Sequence, residues 1–139
     1  KPISLHCVRA YGTLADMLRE AGDSVSMKAV LHSFAGSPEM IDTFIRANTA
    51  CYFSISGGVR KLKAWERVLS SIPKERLLLE TDAPDQPLVS AERHGAANTP
   101  GAVVDVGGIV ADCLGMHIDE VAELTRENAR SVFLNEDSS

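Results

Sequence analysis

Three side chains able to bind a metal ion follow short runs of residues that are typical of β-strands. His6 follows residues 3–5, His32 follows residues 29–31, and Asp82 follows residues 78–81. If these runs are parallel strands, their carboxyl ends meet at one edge of a sheet and bring the three groups together. Two imidazoles and a carboxylate are a frequent ligand set for a divalent ion that polarises water or phosphate. The spacing therefore predicts a metal site.

A second carboxylate, Glu80, lies two positions before Asp82. Because side chains alternate along a strand, these two residues share a face, as Ser4 does with His6. Glu80 could orient a ligand histidine, activate water or pair with an arginine, and we favour orientation or proton handling. A lone histidine beside a strand is more often a hydrogen-bonded core residue than a ligand. The equivalent positions of three such groups favour the metal site instead.

The segment Gly57–Lys61 combines two glycines with the positive charges of Arg60 and Lys61. Backbone N–H groups and positive charge of this kind can bind a phosphate. The stretch is not a Walker motif, and a plain turn ahead of a helix is the more frequent meaning of such a pattern. Phosphate binding by Arg60 and Lys61 is therefore a hypothesis that stands beside the simpler interpretation.

The elements that must position these residues alternate between strand and helix. The predicted strands are residues 2–6, 27–32, 51–56 and 77–82. After each of the first three, apolar residues recur at helical spacing, with Gly22 ending the first helix and Pro73 the third. Residues 83–100 have no regular period and predict a long functional loop, after which two helices follow.

Strands that alternate with right-handed crossover helices form a parallel sheet, which places the chain in the α/β class. Four such units plus C-terminal helices make half of a TIM-like (β/α)₈ barrel, which needs about 250 residues when complete. The 139 residues lack an initial Met and start in a strand, so we expect one domain whose N-terminal half-barrel is absent. Because four strands leave two open edges, the expected partner is that missing half or a second copy of the chain.

Composition narrows the class of protein further. A hydrophobic content of 45% and a charged content of 24% are those of a globular domain. The net charge of -5 argues against a broad basic surface, so a nucleic-acid substrate would be held locally. No apolar run approaches the roughly 20 residues of a membrane span, and no secretory signal is recognisable. Three widely spaced cysteines indicate reduced thiols, so we expect a cytoplasmic or nuclear protein without membrane contact.

Several strings of residues resemble, in order and spacing, the TatD family of metal-dependent deoxyribonucleases. The most specific is Leu-Leu-Leu-Glu-Thr-Asp-Ala-Pro at residues 77–84, joined by Leu-His-Ser-Phe-Ala-Gly-Ser at 31–37 and Asn-Thr-Pro at 98–100. The similarity extends over nearly the whole chain. It implies a metallohydrolase barrel that uses two divalent ions, either Mg²⁺, Mn²⁺ or Zn²⁺, and acts on DNA.

The resemblance also implies roles for individual residues. The implied metal ligands are His6, His32 and Asp82. Glu80 and Asp82 would be the catalytic residues, and Arg9 and Asn98 would contact the substrate. Two departures concern those contacts, because Arg9 stands three residues after the matched histidine instead of two, and Ala97 replaces the arginine usual before Asn98. The family's H-x-H pair and bridging glutamate are not in this chain, so two metals cannot be fully held by it.

The function predicted from these residues is hydrolysis of DNA phosphodiester bonds by metal-activated water, with the isolated half chain weak or inactive. An amidohydrolase-type barrel acting on an amide or ester could use the same histidines and aspartate. A third hypothesis, from another class, is a non-catalytic half-barrel that dimerises or binds partners through its open edges.

Overall fold

The described residues of the protein form one parallel sheet flanked by helices. The computed structural model describes residues 1–22, 28–47, 50–88 and 97–134. The strands are β1 (Ile3–His6), β2 (Ala29–His32), β3 (Cys51–Ile55) and β4 (Leu77–Leu79). They pair in the order β1-β2-β3-β4, and every pairing is parallel. This order confirms the predicted succession of βα units.

Five α-helices accompany the sheet in the described part of the chain. They are α1 (Tyr11–Ala21), α2 (Pro38–Ala47), α3 (Trp65–Ser71), α4 (Val103–Leu114) and α5 (Ile118–Leu134). The first three connect successive strands, as a parallel sheet requires. Proline at the first position of α2 suits a helix start, because that residue needs no intrahelical N–H partner. The described elements are those of half a TIM-like barrel, as predicted.

The two faces of the sheet pack against different partners. Leu31, Phe53 and Ile55 point towards the connecting helices and are almost fully buried in the main core. The alternate residues of the strands form a smaller cluster on the opposite face, where the α5 residue Val132 covers part of the sheet. The smaller cluster consists of Val30, Tyr52, Leu78 and Val132. Period-two alternation therefore separates core residues from those that face the barrel interior.

Hydrogen bonds hold helix α5 against the amino ends of the strands. The Asn128 side-chain amide donates to the carbonyl oxygens of Lys74 and Leu77, at 2.7 and 2.9 Å. Lys28, just before β2, donates from Nζ to the carbonyl oxygen of Ser131 at 2.5 Å. These bonds occupy the amino end of the sheet and leave its carboxyl end open for a site.

The first two strands begin later than predicted, at Ile3 and Ala29, and the predicted carboxyl ends of the other two strands are wrong. The fourth strand ends at Leu79 and not at residue 82, because its partner β3 ends at Ile55. Only the Glu80 N–H continues the ladder, donating to the Ile55 carbonyl at 2.9 Å, and Asp82 then adopts a left-handed φ of 56°. The third strand likewise stops before residue 56, where a 3₁₀ helix follows at Gly57–Lys61 and delays the start of α3.

Parts of two other predictions lie outside the described residues, namely position 27 of the second strand and positions 89–96 of the long loop. The described ends of that loop contain turns and no strand or α-helix, and a short 3₁₀ helix follows at Pro100–Ala102. Within the described part of the chain, no single helix has the length and apolar character to cross a membrane. The bent pair Pro100–Leu114 and Ile118–Leu134 meets that test by length and composition only.

Candidate metal centre

The two predicted ligand histidines stand side by side at the carboxyl edge of the sheet. His6 ends β1 and His32 ends β2, and the two are direct partners in the parallel register. Their ring centroids are 5.6 Å apart and the ring planes are inclined by 40°. Alternation places both imidazoles on the barrel-interior face, the same face as Ser4 and Val30.

His32 lies between two carboxylates. Its Nδ1 atom is 3.0 Å from Glu80, and its Nε2 atom is 3.1 Å from Oδ1 of Asp82. All three side chains are partly buried. One donor atom from each falls within 4.8 Å of the others, which is close enough to surround one cation. The structure thus brings Glu80, His32 and Asp82 together, with His6 as the neighbouring imidazole.

The hydrogen-bond chemistry of His32 fits a cation at this position. A neutral imidazole donates from one nitrogen and accepts at the other, and ring hydrogens are inferred from such contacts. If Nδ1–H donates to Glu80, then the Nε2 lone pair points at Asp82 Oδ1, and two acceptors face each other at 3.1 Å. A proton or a metal ion between them removes this repulsion. A metal-binding histidine that donates its other N–H to a carboxylate is the common arrangement.

Glu80 provides a second indication of the same kind. Its Oε2 atom accepts a hydrogen bond from Ser54 Oγ and lies against His32 Nδ1. Its Oε1 atom is also 3.0 Å from Nδ1 but is not aligned for a hydrogen bond, and it is buried without a partner among the described residues. An unsatisfied buried carboxylate oxygen is costly. A cation bound at Nε2 of His32 would add positive charge to the ring that Glu80 contacts, so the donor set present fits a divalent cation.

A polar network beside these groups was not found by sequence reasoning. Ser33, Ser56 and Gln86 bond to one another, and Gln86 also donates to Asp82. Ser33 and Ser56 could have been identified, because they directly follow the second and third strands, the positions that also indicated the metal ligands. Gln86 carries no such signal, since it stands inside a loop without periodicity.

Arg9 lies beside the histidines. It is exposed, has a left-handed φ of 57°, and lines an open cavity of about 600 Å³ together with His6 and His32. Tyr11 lines the same cavity and accepts a hydrogen bond from the Ala35 N–H at 3.0 Å. Burial raises the pKa of Tyr11, so its hydroxyl stays protonated near neutral pH. The cavity thus offers a cation and a neutral hydroxyl next to the candidate ligands.

The other predicted substrate residues do not line that cavity. Arg60 and Lys61 are exposed residues of the 3₁₀ helix after β3, where the Arg60 guanidinium lies 5.4 Å from the Trp65 ring centre. Asn98 is buried, and its amide donates to the carbonyl oxygens of Thr81 at 2.6 Å and of Asp85. Asn98 thereby secures the loop that carries Asp82, and its contact with substrate stays a prediction.

Comparisons with known proteins find relatives among metal-dependent hydrolases and nucleases. Residues 1–134 match the protein family described as TatD related DNase. The chain is 32% identical, over 134 residues, to the uncharacterized metal-dependent hydrolase YabD of Bacillus subtilis. It is 34% identical, over 144 residues, to the 3'-5' ssDNA/RNA exonuclease TatD of Dickeya dadantii. Each alignment covers 95% of this chain and 51% of the relative.

A solved structure is similar over the same extent. The TatD homologue YjjV of Escherichia coli superposes with a TM-score of 0.82 at 28% identity, covering 98% of this chain and 51% of that one. The chain therefore spans about half the length of the relatives it matches.

Proposed function

The chain belongs to the family of TatD-related DNases, and on this premise we propose that it supplies the C-terminal half of a divalent-metal-dependent hydrolase that cleaves DNA phosphodiester bonds. One observation carries the proposal: His32 is held between the carboxylates of Glu80 and Asp82 at the open end of a parallel sheet. The relative in Dickeya dadantii, described as a single-stranded DNA and RNA exonuclease, supports this substrate class.

The residues have separate tasks in this proposal. His6, His32 and Asp82 would hold a divalent ion, with Mg²⁺, Mn²⁺ and Zn²⁺ as the candidates, and further ligands from outside this chain would complete a two-ion site. Such an ion, when bound, lowers the pKa of water and stabilises charge on a phosphate. Glu80 fixes the imidazole of His32 by accepting from Nδ1 and provides a carboxylate for proton transfer.

The substrate would enter through the cavity beside the two histidines. Arg9 supplies positive charge there, and the protonated Tyr11 hydroxyl can donate to an oxygen of the substrate. Arg60 and Lys61, one strand further along, would contact phosphates at a greater distance from the site. Because the net charge is -5, these few cations and the metal ions must hold the DNA locally.

We propose that an apolar groove on the interior face of the sheet receives the partner half. A cavity of about 510 Å³ lies between the interior face of the sheet and helices α4 and α5. Its lining includes Val104 and Phe133, whose exposed fractions of 68% and 56% are high for large apolar residues. Among the described strands, β1 and β4 each pair on one side only. We assign the groove and both edges to the N-terminal half of the barrel, with a second copy as the alternative occupant.

The cysteines suit a reducing compartment. Cys7, Cys51 and Cys113 are all free thiols. Burial raises the pKa of Cys51 to about 12, so this side chain behaves as a small apolar group and not as a nucleophile. We propose the cytoplasm as the location, with the nucleus as the alternative.

The function is tested with end-labelled single-stranded DNA and RNA, incubated with the full-length product of the reading frame and Mg²⁺, Mn²⁺ or Zn²⁺. We expect the wild type to cleave DNA and the rate to fall by at least about 100-fold in Asp82→Asn. Mutation of a residue that only supports a metal ligand typically lowers metal affinity or activity by about 10- to 100-fold, and Asp82 would itself be a ligand. The matched control is Asp119→Asn, which alters an exposed aspartate beside the exposed His117 and should leave the rate unchanged.

Amide, ester and lactone reporters are assayed in parallel. Turnover of one of these with DNA and RNA left intact would contradict the nuclease and favour the amidohydrolase alternative. Inactivity towards every substrate would favour the non-catalytic interaction module.

A further inference from the structure

We infer that Gln86 is a positioning residue that holds Asp82 in the orientation needed for metal binding, an inference that rests on the metal centre of the proposed function. The Gln86 amide nitrogen donates to Oδ2 of Asp82 and to Oγ of Ser33, the latter at 2.6 Å. Its oxygen accepts from Oγ of Ser56 at 2.9 Å. Both ends of the amide are therefore engaged.

These bonds join the ends of three strands. Ser33 follows β2, Ser56 follows β3, and Asp82 lies in the loop after β4. The two serine hydroxyls are themselves 2.8 Å apart, which closes the network. Gln86 thus fixes the distance between the end of β2, which carries His32, and the loop that carries Asp82. The side chains of these two residues must converge on one cation in the proposed site.

The two carboxylate oxygens of Asp82 contact different side chains. Oδ2 accepts from Gln86, whereas Oδ1 lies 3.1 Å from Nε2 of His32. A carboxylate with one oxygen fixed cannot rotate freely, so the other stays directed at the ligand position. Hydrogen-bonded supports of this type orient metal ligands and raise metal affinity.

The backbone in this network is strained. Ser33, Asp82 and Gln86 have φ values of 49°, 56° and 50°, in the left-handed region that side chains disfavour. Such conformations persist only where the surroundings hold them, and they are concentrated at functional sites. All three residues are members of the hydrogen-bonded network, which provides that restraint.

Gly58 makes room for the Gln86 amide. A Cβ atom at position 58 would lie 2.2 Å from Oε1 of Gln86, so any side chain there displaces the amide. Gly58→Ala therefore disturbs Gln86 without removing any polar group. Gly108, in α4, has open space at its Cβ position and supplies the matched glycine control.

The experiment measures Mn²⁺ affinity of the full-length protein by titration calorimetry, together with thermal unfolding without metal. Gln86→Ala and Gly58→Ala should each weaken Mn²⁺ binding by about 10- to 100-fold. The double variant should equal Gln86→Ala, because the glycine substitution acts through the missing amide. Gly108→Ala should bind like the wild type.

A milder variant, Ser56→Ala, covers the case in which the first two fail to fold, and it should lower the affinity by a smaller factor. Unchanged Mn²⁺ affinity in folded Gln86→Ala or Ser56→Ala overturns the inference, as does a wild type that binds no Mn²⁺. Loss of affinity in these variants supports it even if DNA is not cleaved. If the variants lose Mn²⁺ affinity but the wild type does not cleave DNA, the proposed function is wrong and the positioning role of Gln86 is supported.

Discussion

At the scale of the residue, the site depends on His32. A neutral imidazole can donate to only one of the two carboxylates that face its nitrogens. Both nitrogens of His32 face carboxylates, and one oxygen of Glu80 is buried without a hydrogen bond among the described residues. Placing two carboxylates around one partly buried imidazole is unfavourable unless positive charge is added. A divalent cation would supply that charge, which connects the local electrostatics to the proposed metal-dependent activity.

Sequence reasoning could identify the residues that obey a positional rule. His6, His32 and Asp82 end predicted strands, and the structure places the first two at strand ends and the third in the loop after β4. Gln86 could not be identified, because its partners are 53, 30 and 4 positions away and meet only when the sheet forms. The same reason applies to Gly58, whose need for a small residue arises from Gln86.

At the scale of the element, strand and helix order was predictable because alternating apolar runs and helical periods are local. Strand ends were less predictable, since they depend on the partner. Glu80 and Asp82 look like strand residues from their neighbours, yet β3 ends at Ile55 and provides no backbone partner beyond Glu80. Beyond the ladder, Asp82 adopts a left-handed backbone conformation, and its carboxylate faces His32.

Helix α5 is expected to stabilise the amino end of the sheet through Asn128. Asn128→Ala leaves the carbonyl oxygens of Lys74 and Leu77 without their donor in a buried position. Loss of such a donor costs about 1–3 kcal/mol, so the free energy of unfolding should fall by about that amount and the urea midpoint should fall with it. Glu127→Ala, at the exposed neighbouring position, is the control. Equal midpoints for the two variants would show that these bonds contribute nothing.

At the scale of the whole molecule, the chain presents two sheet edges and an apolar groove, and it spans about half of its relatives. An open strand edge and exposed apolar side chains favour association with another chain segment. The candidate metal centre and the groove lie on the interior face of the same sheet, with Glu80 lining the groove. Completion of the barrel would therefore also enclose the site.

Native mass spectrometry tests this assignment with residues 1–139 and, as a separate chain, the segment that the reading frame encodes upstream. We expect a one-to-one complex that Phe133→Asp weakens about tenfold or more, because it places a charge in a buried apolar contact. Met17→Asp changes an equally exposed apolar residue on α1, away from the groove, and should bind normally. Self-association alone would favour the second copy as occupant, and two separate monomers would contradict the assignment.

Anomalous X-ray diffraction from crystals of the full-length protein grown with Mn²⁺ would locate the ion directly. We expect a strong manganese peak within bonding distance of His6, His32 and Asp82, with Glu80 against Nδ1 of His32. A peak elsewhere, or none at these residues while the ion is bound in solution, would contradict the proposed metal centre.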